Sequence, residues 1–303
     1  MELRVLEYFV AIADTGSITA AAARCHVAQP SITQRLKGLE AELGEELFIR
    51  GPRGVVLTDA GRALEPSARA AVGAVAGAKQ AFSRRKGLLT GTLRIGVVEG
   101  LEESVVPGIL GRFHREHPGL DIELTGGTSP ILIDAVSTGR LDVAIIARPS
   151  SLPDPLETMP LLQDEIVAVL PESSPLGREG RIPLATLAED PVISYSPSSG
   201  LRAALDDAAD AVGATLHVGF ATNDVSFQVS LVREGLGVAL AAGSDPAVQH
   251  ATGLRVVGLS PAVTYEKVLT WRRTAAPNPG VEALLTVWAE EVRAYAFVAD
   301  TGD

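Results

Sequence analysis

The chain has 303 residues, 46% hydrophobic and 21% charged, with a formal net charge of -11. This composition fits two or three globular domains and excludes a mainly disordered chain, a collagen and a coiled-coil rod. A single cysteine, Cys25, excludes an internal disulfide and a multi-cysteine metal site, which favours a reducing compartment. Because no secretory signal and no apolar run of about 18 residues is present, we expect a cytoplasmic protein without a membrane partner.

The charge is distributed unevenly along the chain. Residues 1–90 carry 12 Lys and Arg against 9 Asp and Glu, whereas residues 91–303 carry 14 against 28. The acidic total argues against a nucleic-acid partner for the molecule as a whole. The asymmetry nevertheless prompts a search for a nucleic-acid-binding segment at the amino-terminal end.

Two short helices are predicted at the start of the chain. Apolar residues repeat at helical spacing over residues 6–13, and Gly16 ends this helix. Ser17 can cap a second helix over residues 18–25. The small side chains of this second helix allow close approach of a neighbouring helix.

A third helix begins at Gln29-Pro30 and ends before Gly44. A tight turn joins it to the second helix, as in a helix-turn-helix. Its first turns carry hydroxyl, amide and basic side chains, whereas its acidic residues come only at the far end. Such groups suit base edges and phosphates in the major groove, although an ordinary solvated helix face is the alternative.

A hairpin and a long helix are predicted next. Two apolar runs, residues 47–50 and 55–58, flank Gly51-Pro52-Arg53-Gly54 and indicate a wing. Thr58 can cap a helix that runs to about residue 85, and Pro66 should kink it or end its first turns. This helix is too long for its own domain to bury, so we expect it to pack against a second copy; the alternative is that it lies on the body of the same chain.

From residue 92 onward, strands and helices alternate. Predicted strands cover residues 92–97, 120–124, 141–146, 165–170, 192–195, 216–220, 237–241 and 263–271, and predicted helices cover residues 105–117, 130–137, 201–211, 227–233 and 281–295. This alternation predicts an α/β architecture with mostly parallel sheets. The almost fully apolar strand at 141–146 is typical of a strand covered on both faces.

Motifs of catalysis are missing from the sequence. It holds no complete glycine-rich nucleotide loop and no Gly-x-Ser-x-Gly elbow. His114 and His117 have metal-ligand spacing but sit beside a helix end, where polar residues are ordinary. A Schiff-base enzyme would have to use Lys267, in the middle of a predicted strand. We therefore expect no enzyme, no cofactor and no metal site.

Two parts of the chain resemble LysR-type transcriptional regulators. The run FVAIADTGSITAAAARCHVAQPSITQRLKGLEAELGEELFIR, followed by GVVLTDAGRAL, resembles their DNA-binding domain, and GTLRIG, LIDAVSTGRLDVAII and SLVREGLGVAL resemble their effector-binding domain. The resemblance implies an all-α winged helix-turn-helix over 1–58, a linker and dimerisation helix over 59–86, a hinge over 87–91 and a two-lobed α/β domain, like that of periplasmic solute-binding proteins, over 92–303. Lobe 1 would take about 92–162 and 266–303, and lobe 2 about 163–265.

The resemblance also implies partners and contact residues. The partners are double-stranded DNA with a two-fold promoter site, a small-molecule effector, further copies in a homodimer or homotetramer joined through the linker helix and regulatory domains, and RNA polymerase. The DNA-contacting residues carried over to this chain are Gln29, Pro30, Ser31, Thr33, Gln34, Lys37, Arg50 and Arg53.

An effector cleft is predicted where strands end and helices begin. The candidate residues are Val98, Glu99, Gly100, Thr128, Ser129, Arg148, Ser199, Arg202, Thr222 and Asn223. Arg148 and Arg202 could pair with a carboxylate, whereas Glu99 and Asp224 could favour an amine; plain helix caps are the alternative for each. The predicted function is promoter binding modulated by an effector, and the alternative is a cytoplasmic small-molecule sensor or solute-binding module that acts through protein contacts.

Overall fold

A computed structural model describes residues 1–51, 54–84, 89–178, 180–189, 191–274 and 278–300. Three helices and a two-stranded antiparallel hairpin form the amino-terminal unit. Their bounds are α1 Leu3–Thr15, α2 Ile18–Arg24, α3 Gln29–Leu43, β1 Phe48–Gly51 and β2 Gly54–Leu57. The fold is the winged helix-turn-helix that the sequence predicts.

The predicted helix ends are confirmed in this unit. Gly16 ends α1 and Gly44 ends α3, each in the left-handed conformation that glycine adopts at little cost. Ser17 caps α2, because its side chain accepts a hydrogen bond from the backbone N–H of Ala20 at 3.3 Å. The helices enclose one apolar core with the hairpin.

Helix α4, Asp59–Arg84, follows the hairpin. Thr58 caps it by accepting a hydrogen bond from the backbone N–H of Gly61 at 2.9 Å. The helix continues through Pro66, so the proline does not end it. Its 26 residues span about 39 Å.

The rest of the chain is an α/β domain. Its strands are β3 Gly91–Val97, β4 Leu120–Gly126, β5 Val143–Ala147, β6 Leu156–Pro171, β7 Ile182–Pro183, β8 Val192–Ser194, β9 Val218–Ala221, β10 Val238–Ala242 and β11 Leu254–Arg272. Its helices are α5 Val106–Glu116, α6 Ser129–Ser137, α7 Gly200–Ala211, α8 Val225–Arg233, α9 Pro246–Gln249 and α10 Pro279–Asp300, and a short 3-10 helix covers Leu184–Ala188.

One curled sheet runs through this domain in the order β4-β3-β5-β11-β6-β10-β8-β9, and β7 pairs with β11 at the side. The outer strands pair in parallel, as predicted, but the long strands β6 and β11 run antiparallel through the middle. The sheet is therefore mixed. The sequence pattern missed the first half of both long strands, because their pairing joins residues about 100 positions apart.

The two long strands divide the sheet into two lobes. The first half of β6 and the second half of β11 lie with β5, β3 and β4, and their other halves lie with β10, β8 and β9. The pairing of β11 with β6 is interrupted between Gly258 and Val263 and again between Lys267 and Val268. Each lobe has its own apolar core, and β5 is buried along its whole length. None of the helices among the described residues combines the length and the hydropathy that a membrane-spanning helix needs.

Candidate functional site

The amino-terminal end of α3 presents exposed polar groups. Pro30 stands in its first turn, and no side chain caps the helix, so its free backbone N–H groups are available to phosphate. Gln34 and Lys37 are exposed on the same helix. Gln29 is also exposed and accepts a hydrogen bond from the Thr19 hydroxyl at 3.3 Å.

The four other predicted DNA contacts differ in their placement. Ser31 and Thr33 are half-buried, and the Thr33 hydroxyl donates to the backbone carbonyl of Gln29 at 3.0 Å. Arg50 lies in strand β1, opposite Val55. Arg53 lies outside the described residues. Of the predicted contacts, Gln29, Gln34 and Lys37 are thus exposed on α3.

The wing is anchored to the turn between α1 and α2. The backbone N–H of Val55 donates to the carbonyl of Gly16 at 2.8 Å. Gly54 adopts a φ of +127°, and a Cβ at this position would lie 2.5 Å from that same carbonyl oxygen. Only glycine fits here without displacement of the hairpin.

Seven of the residues predicted for the effector meet around one cavity between the lobes. These are Val98, Glu99, Gly100, Thr128, Ser129, Ser199 and Asn223. They come from the end of β3 and from the starts of α6, α7 and α8, as expected for strand ends and helix beginnings in an α/β fold. The cavity has a volume of about 60 Å³.

Three predicted residues lie outside the lining of this cavity. Arg148 pairs with Glu266 on the neighbouring strand at 2.9 Å, and Arg202 pairs with Asp206 one helical turn along α7 at 2.9 Å. Both guanidinium groups are therefore already neutralised by carboxylates of the chain. The Thr222 hydroxyl accepts a hydrogen bond from the backbone N–H of Asp224 at 3.2 Å, as a loop residue does.

Three polar residues of the cavity are not among the candidates predicted from the sequence, namely Tyr195, Asp245 and Lys267. The sequence brings Lys267 forward only as the lysine that a Schiff-base enzyme would use, although a lysine within an apolar strand is itself unusual. Its Nζ donates to the backbone carbonyl of Gly100 at 3.0 Å. Burial lowers the pKa of Lys267, while the carboxylates of Asp164, Asp245 and Glu102 act in the opposite direction.

Two other polar residues of the cavity, Asp245 and Tyr195, are buried as well. Burial raises the pKa of the Asp245 carboxyl, against a hydrogen bond from the backbone N–H of Ala247. Burial likewise raises the pKa of Tyr195, whose hydroxyl oxygen accepts from the backbone N–H of Ala242 at 2.8 Å. The buried hydroxyl oxygen of Thr128 has no hydrogen-bond partner within the described part of the chain. The cavity thus offers polar groups that a ligand can satisfy.

An open groove continues outward from the cavity. We call it the acidic vestibule, and its charged lining residues are Glu99, Glu102, Glu103, Asp224 and Asp245. Its volume is about 470 Å³, and none of the described residues that line it is Lys or Arg. Among the described residues, no three His, Cys, Asp or Glu side chains are grouped to hold a metal ion.

A group of charges, of which Glu65 and Arg69 are buried, joins the amino-terminal unit to the α/β domain. We call Asp14, Glu65 and Arg69 the junction cluster. Arg69 is 8% exposed and pairs with Asp14 of α1 at 2.6 Å and with Glu65 of α4 at 2.8 Å. A Cβ on Gly139 of the α/β domain would lie 3.3 Å from the Cβ of Arg69, and Arg140 Nε is 4.0 Å from Glu65 Oε1.

The two parts of the chain match two family models. Residues 3–62 match the model described as bacterial regulatory helix-turn-helix protein, lysR family, and residues 86–293 match the LysR substrate binding domain. The second match alone covers more than half of the chain.

Full-length relatives and a solved structure agree with this assignment. The transcriptional regulator IlvR of Caulobacter vibrioides is 32% identical over 295 residues, 96% of this chain and 98% of the relative. The regulator ShiR of Corynebacterium glutamicum is 33% identical over 259 residues, 84% of each chain. A cysteine-substituted full-length OxyR from Pseudomonas aeruginosa superposes with a TM-score of 0.79 at 25% identity, over 97% of this chain and 95% of that one. The chain therefore belongs to the LysR family and is a DNA-binding transcriptional regulator with an effector-binding domain.

Proposed function

We propose that the protein binds a promoter site of two-fold symmetry and that a small molecule in the cavity between the lobes modulates this binding. The observation that carries the proposal is that loops of both lobes end at one cavity, beside the point where the pairing of β6 and β11 is interrupted. A ligand that contacts both lobes favours one relative position of them over others.

Helix α6 supports this proposal because it connects the cavity with the amino-terminal unit. Its first residue, Ser129, lines the cavity, and Gly139 and Arg140 follow its other end. These two residues lie against the junction cluster, which includes Asp14 of α1. A shift of α6 on ligand binding would therefore act on the helices that present α3 to DNA.

The exposed face of α4 supports assembly into a homodimer or homotetramer. Gly73, Val75, Ala76 and Ala78 are all exposed on this helix, and a helix of about 39 Å presents enough small-residue surface for a second helix to approach closely. A dimer would place two recognition helices on a two-fold site. The proposed role further implies contact with RNA polymerase and a place in the cytoplasm beside the chromosome.

Peroxide sensing by a regulatory-domain thiol is a poor second candidate, despite the structural similarity to OxyR. The chain has one cysteine, Cys25, which lies at the end of α2 in the DNA-binding unit. Burial raises the pKa of its thiol, which makes it less reactive. The α/β domain therefore has no thiol with which to detect an oxidant.

The experiment that tests the proposal is a pull-down of fragmented genomic DNA by the purified protein, with Gln29→Ala in parallel. We expect a small set of fragments that share an inverted repeat, and loss or change of this set in the variant. The alternative is a small-molecule sensor that acts through protein contacts. Uniform or absent enrichment by folded protein at low salt, with and without added cell extract, would support that alternative.

A further inference from the structure

The cavity contains a buried ammonium group that the chain does not neutralise by contact. Lys267 is 3% exposed and lies in β11 where the pairing with β6 shifts. Its Nζ donates one hydrogen bond, to the carbonyl of Gly100. Among the described residues, no carboxylate lies within 4 Å of it, and its other two N–H donors have no acceptor. A buried cation in this state favours a bound anion.

A buried carboxylate faces the same space. Asp245 is 8% exposed, and one of its oxygens accepts from the backbone N–H of Ala247 at 3.0 Å. A Cβ on Gly100 would lie 2.9 Å from the other oxygen, Oδ2, and 3.9 Å from Lys267 Nζ. Because Gly100 has no side chain, the two opposite charges border one small space without forming an ion pair.

The surroundings distinguish between a negatively charged ligand and a neutral one. The acidic vestibule carries carboxylates and none of its described lining residues is basic, so a ligand with net negative charge is repelled on entry. The unpaired hydroxyl of Thr128, at the start of α6, can donate to a carboxylate inside the cavity. A ligand with both charges therefore meets fewer unfavourable contacts than an anion or a cation alone.

The size of the cavity limits the charged part of this ligand. A volume of about 60 Å³ holds roughly four to six water-sized groups. This is enough for a carbon atom that carries a carboxylate and an ammonium group. The vestibule, at about 470 Å³, leaves room for a further side chain.

We propose that the effector is an α-amino acid, whose carboxylate binds Lys267 and the Thr128 hydroxyl and whose ammonium group binds Asp245. This inference rests on the proposed function in one respect, that the cavity between the lobes is the effector site. It assigns the two ends of the ligand to the two buried charges and the side chain of the ligand to the acidic vestibule.

The test is a thermal-shift and calorimetric screen of the full-length protein with the twenty L-amino acids. Each amino acid that binds is compared with its deaminated carboxylic acid and its decarboxylated amine. We expect one or a few amino acids to raise Tm, and neither partial analogue to do so. Equal stabilisation by a partial analogue, or no binding by any amino acid, would overturn the proposal.

Two variants locate the contacts. Lys267→Met and Asp245→Asn should each weaken binding of the amino acid by about ten-fold or more, because each removes a charge-assisted hydrogen bond. Glu116→Gln, at an exposed position of α5 outside the cavity, is the matched control. If either variant fails to fold, the comparison of each amino acid with its two analogues on the wild-type protein still tests the proposed ligand class. Unchanged affinity in both folded variants would contradict the assignment.

A DNA-binding measurement separates this inference from the proposed function. The affinity for an enriched genomic fragment is measured with and without the amino acid that binds. Binding of the amino acid without any change in DNA affinity would support the proposed ligand class and contradict the proposed regulation. A change in DNA affinity caused by a compound of another class would keep the regulation and overturn the ligand class.

Discussion

Two basic residues of the recognition helix α3 differ in whether their charge is available for contact with DNA. Arg35 pairs with Glu2 at 2.9 Å, so part of its charge is already used within the protein. Lys37 is exposed and has no ion pair among the described side chains. A free ammonium group on the exposed surface of α3 is the better candidate for a phosphate contact.

Replacement of Lys37 by alanine tests this difference. Binding should weaken to a similar degree for all DNA sequences, and the slope of log affinity against log salt concentration should fall by about one unit, as expected for the loss of one phosphate contact. Arg115→Ala removes the same charge from an exposed position on α5 and is the control. Fluorescence anisotropy over a salt series measures both, and an unchanged slope would remove Lys37 from the contact surface.

The Thr128 hydroxyl offers a second test on a single group. Because its oxygen has no hydrogen-bond partner among the described residues, Thr128→Val should leave Tm and the DNA affinity without ligand unchanged. Binding of the amino acid selected by the screen should weaken by roughly three- to ten-fold, the effect of one hydrogen bond. Thr222→Val, which alters a hydroxyl outside the cavity lining, is the control. Loss of DNA binding in a folded Thr128→Val protein would be the contrary result.

Elements with local signals could be predicted from the sequence, whereas the long strands could not. Gly16, Ser17 and Thr58 mark helix ends through their own conformation or side chain, so the bounds of α1, α2 and α4 follow from a few neighbouring residues. The position of Lys267 depends instead on the register of β11 against β6, which joins distant parts of the chain. The predicted cleft therefore included the loops after strands but missed the buried charge between them.

At Gly54 the hairpin lies in close backbone contact with the turn between α1 and α2. In Gly54→Ala, the new Cβ meets the carbonyl oxygen of Gly16, and φ of +127° is strained for alanine. We expect a loss of about 1–3 kcal/mol in the stability of the amino-terminal unit and weaker DNA binding. Gly38→Ala, in α3 with open space around its Cβ position, should be neutral or stabilise by up to about 1 kcal/mol. Denaturant unfolding compares the two, and equal stabilities would contradict the role of Gly54.

At the scale of the whole molecule, regulation requires that ligand binding in the cavity is energetically coupled to DNA binding by the amino-terminal unit. The junction cluster holds α1 and α4 together, and Gly139 and Arg140 bring the end of α6 against it. Arg140 also pairs with Asp134 within α6 and donates to the Thr138 hydroxyl at 3.1 Å. Its guanidinium group thus links the last turn of α6 to Glu65 of the linker helix.

Arg140→Ala should reduce this coupling while both binding sites stay intact. The coupling is the ratio of DNA affinities with and without the amino acid that binds, and ratios of about five- to 150-fold correspond to 1–3 kcal/mol. We expect the ratio to fall towards one, with the amino-acid affinity in the absence of DNA unchanged, because Arg140 lies outside the lining of the cavity. Arg115→Ala again controls for the lost charge. A ratio that stays at the wild-type value would show that the lobes signal to DNA by a route other than α6, such as the dimer contact of α4.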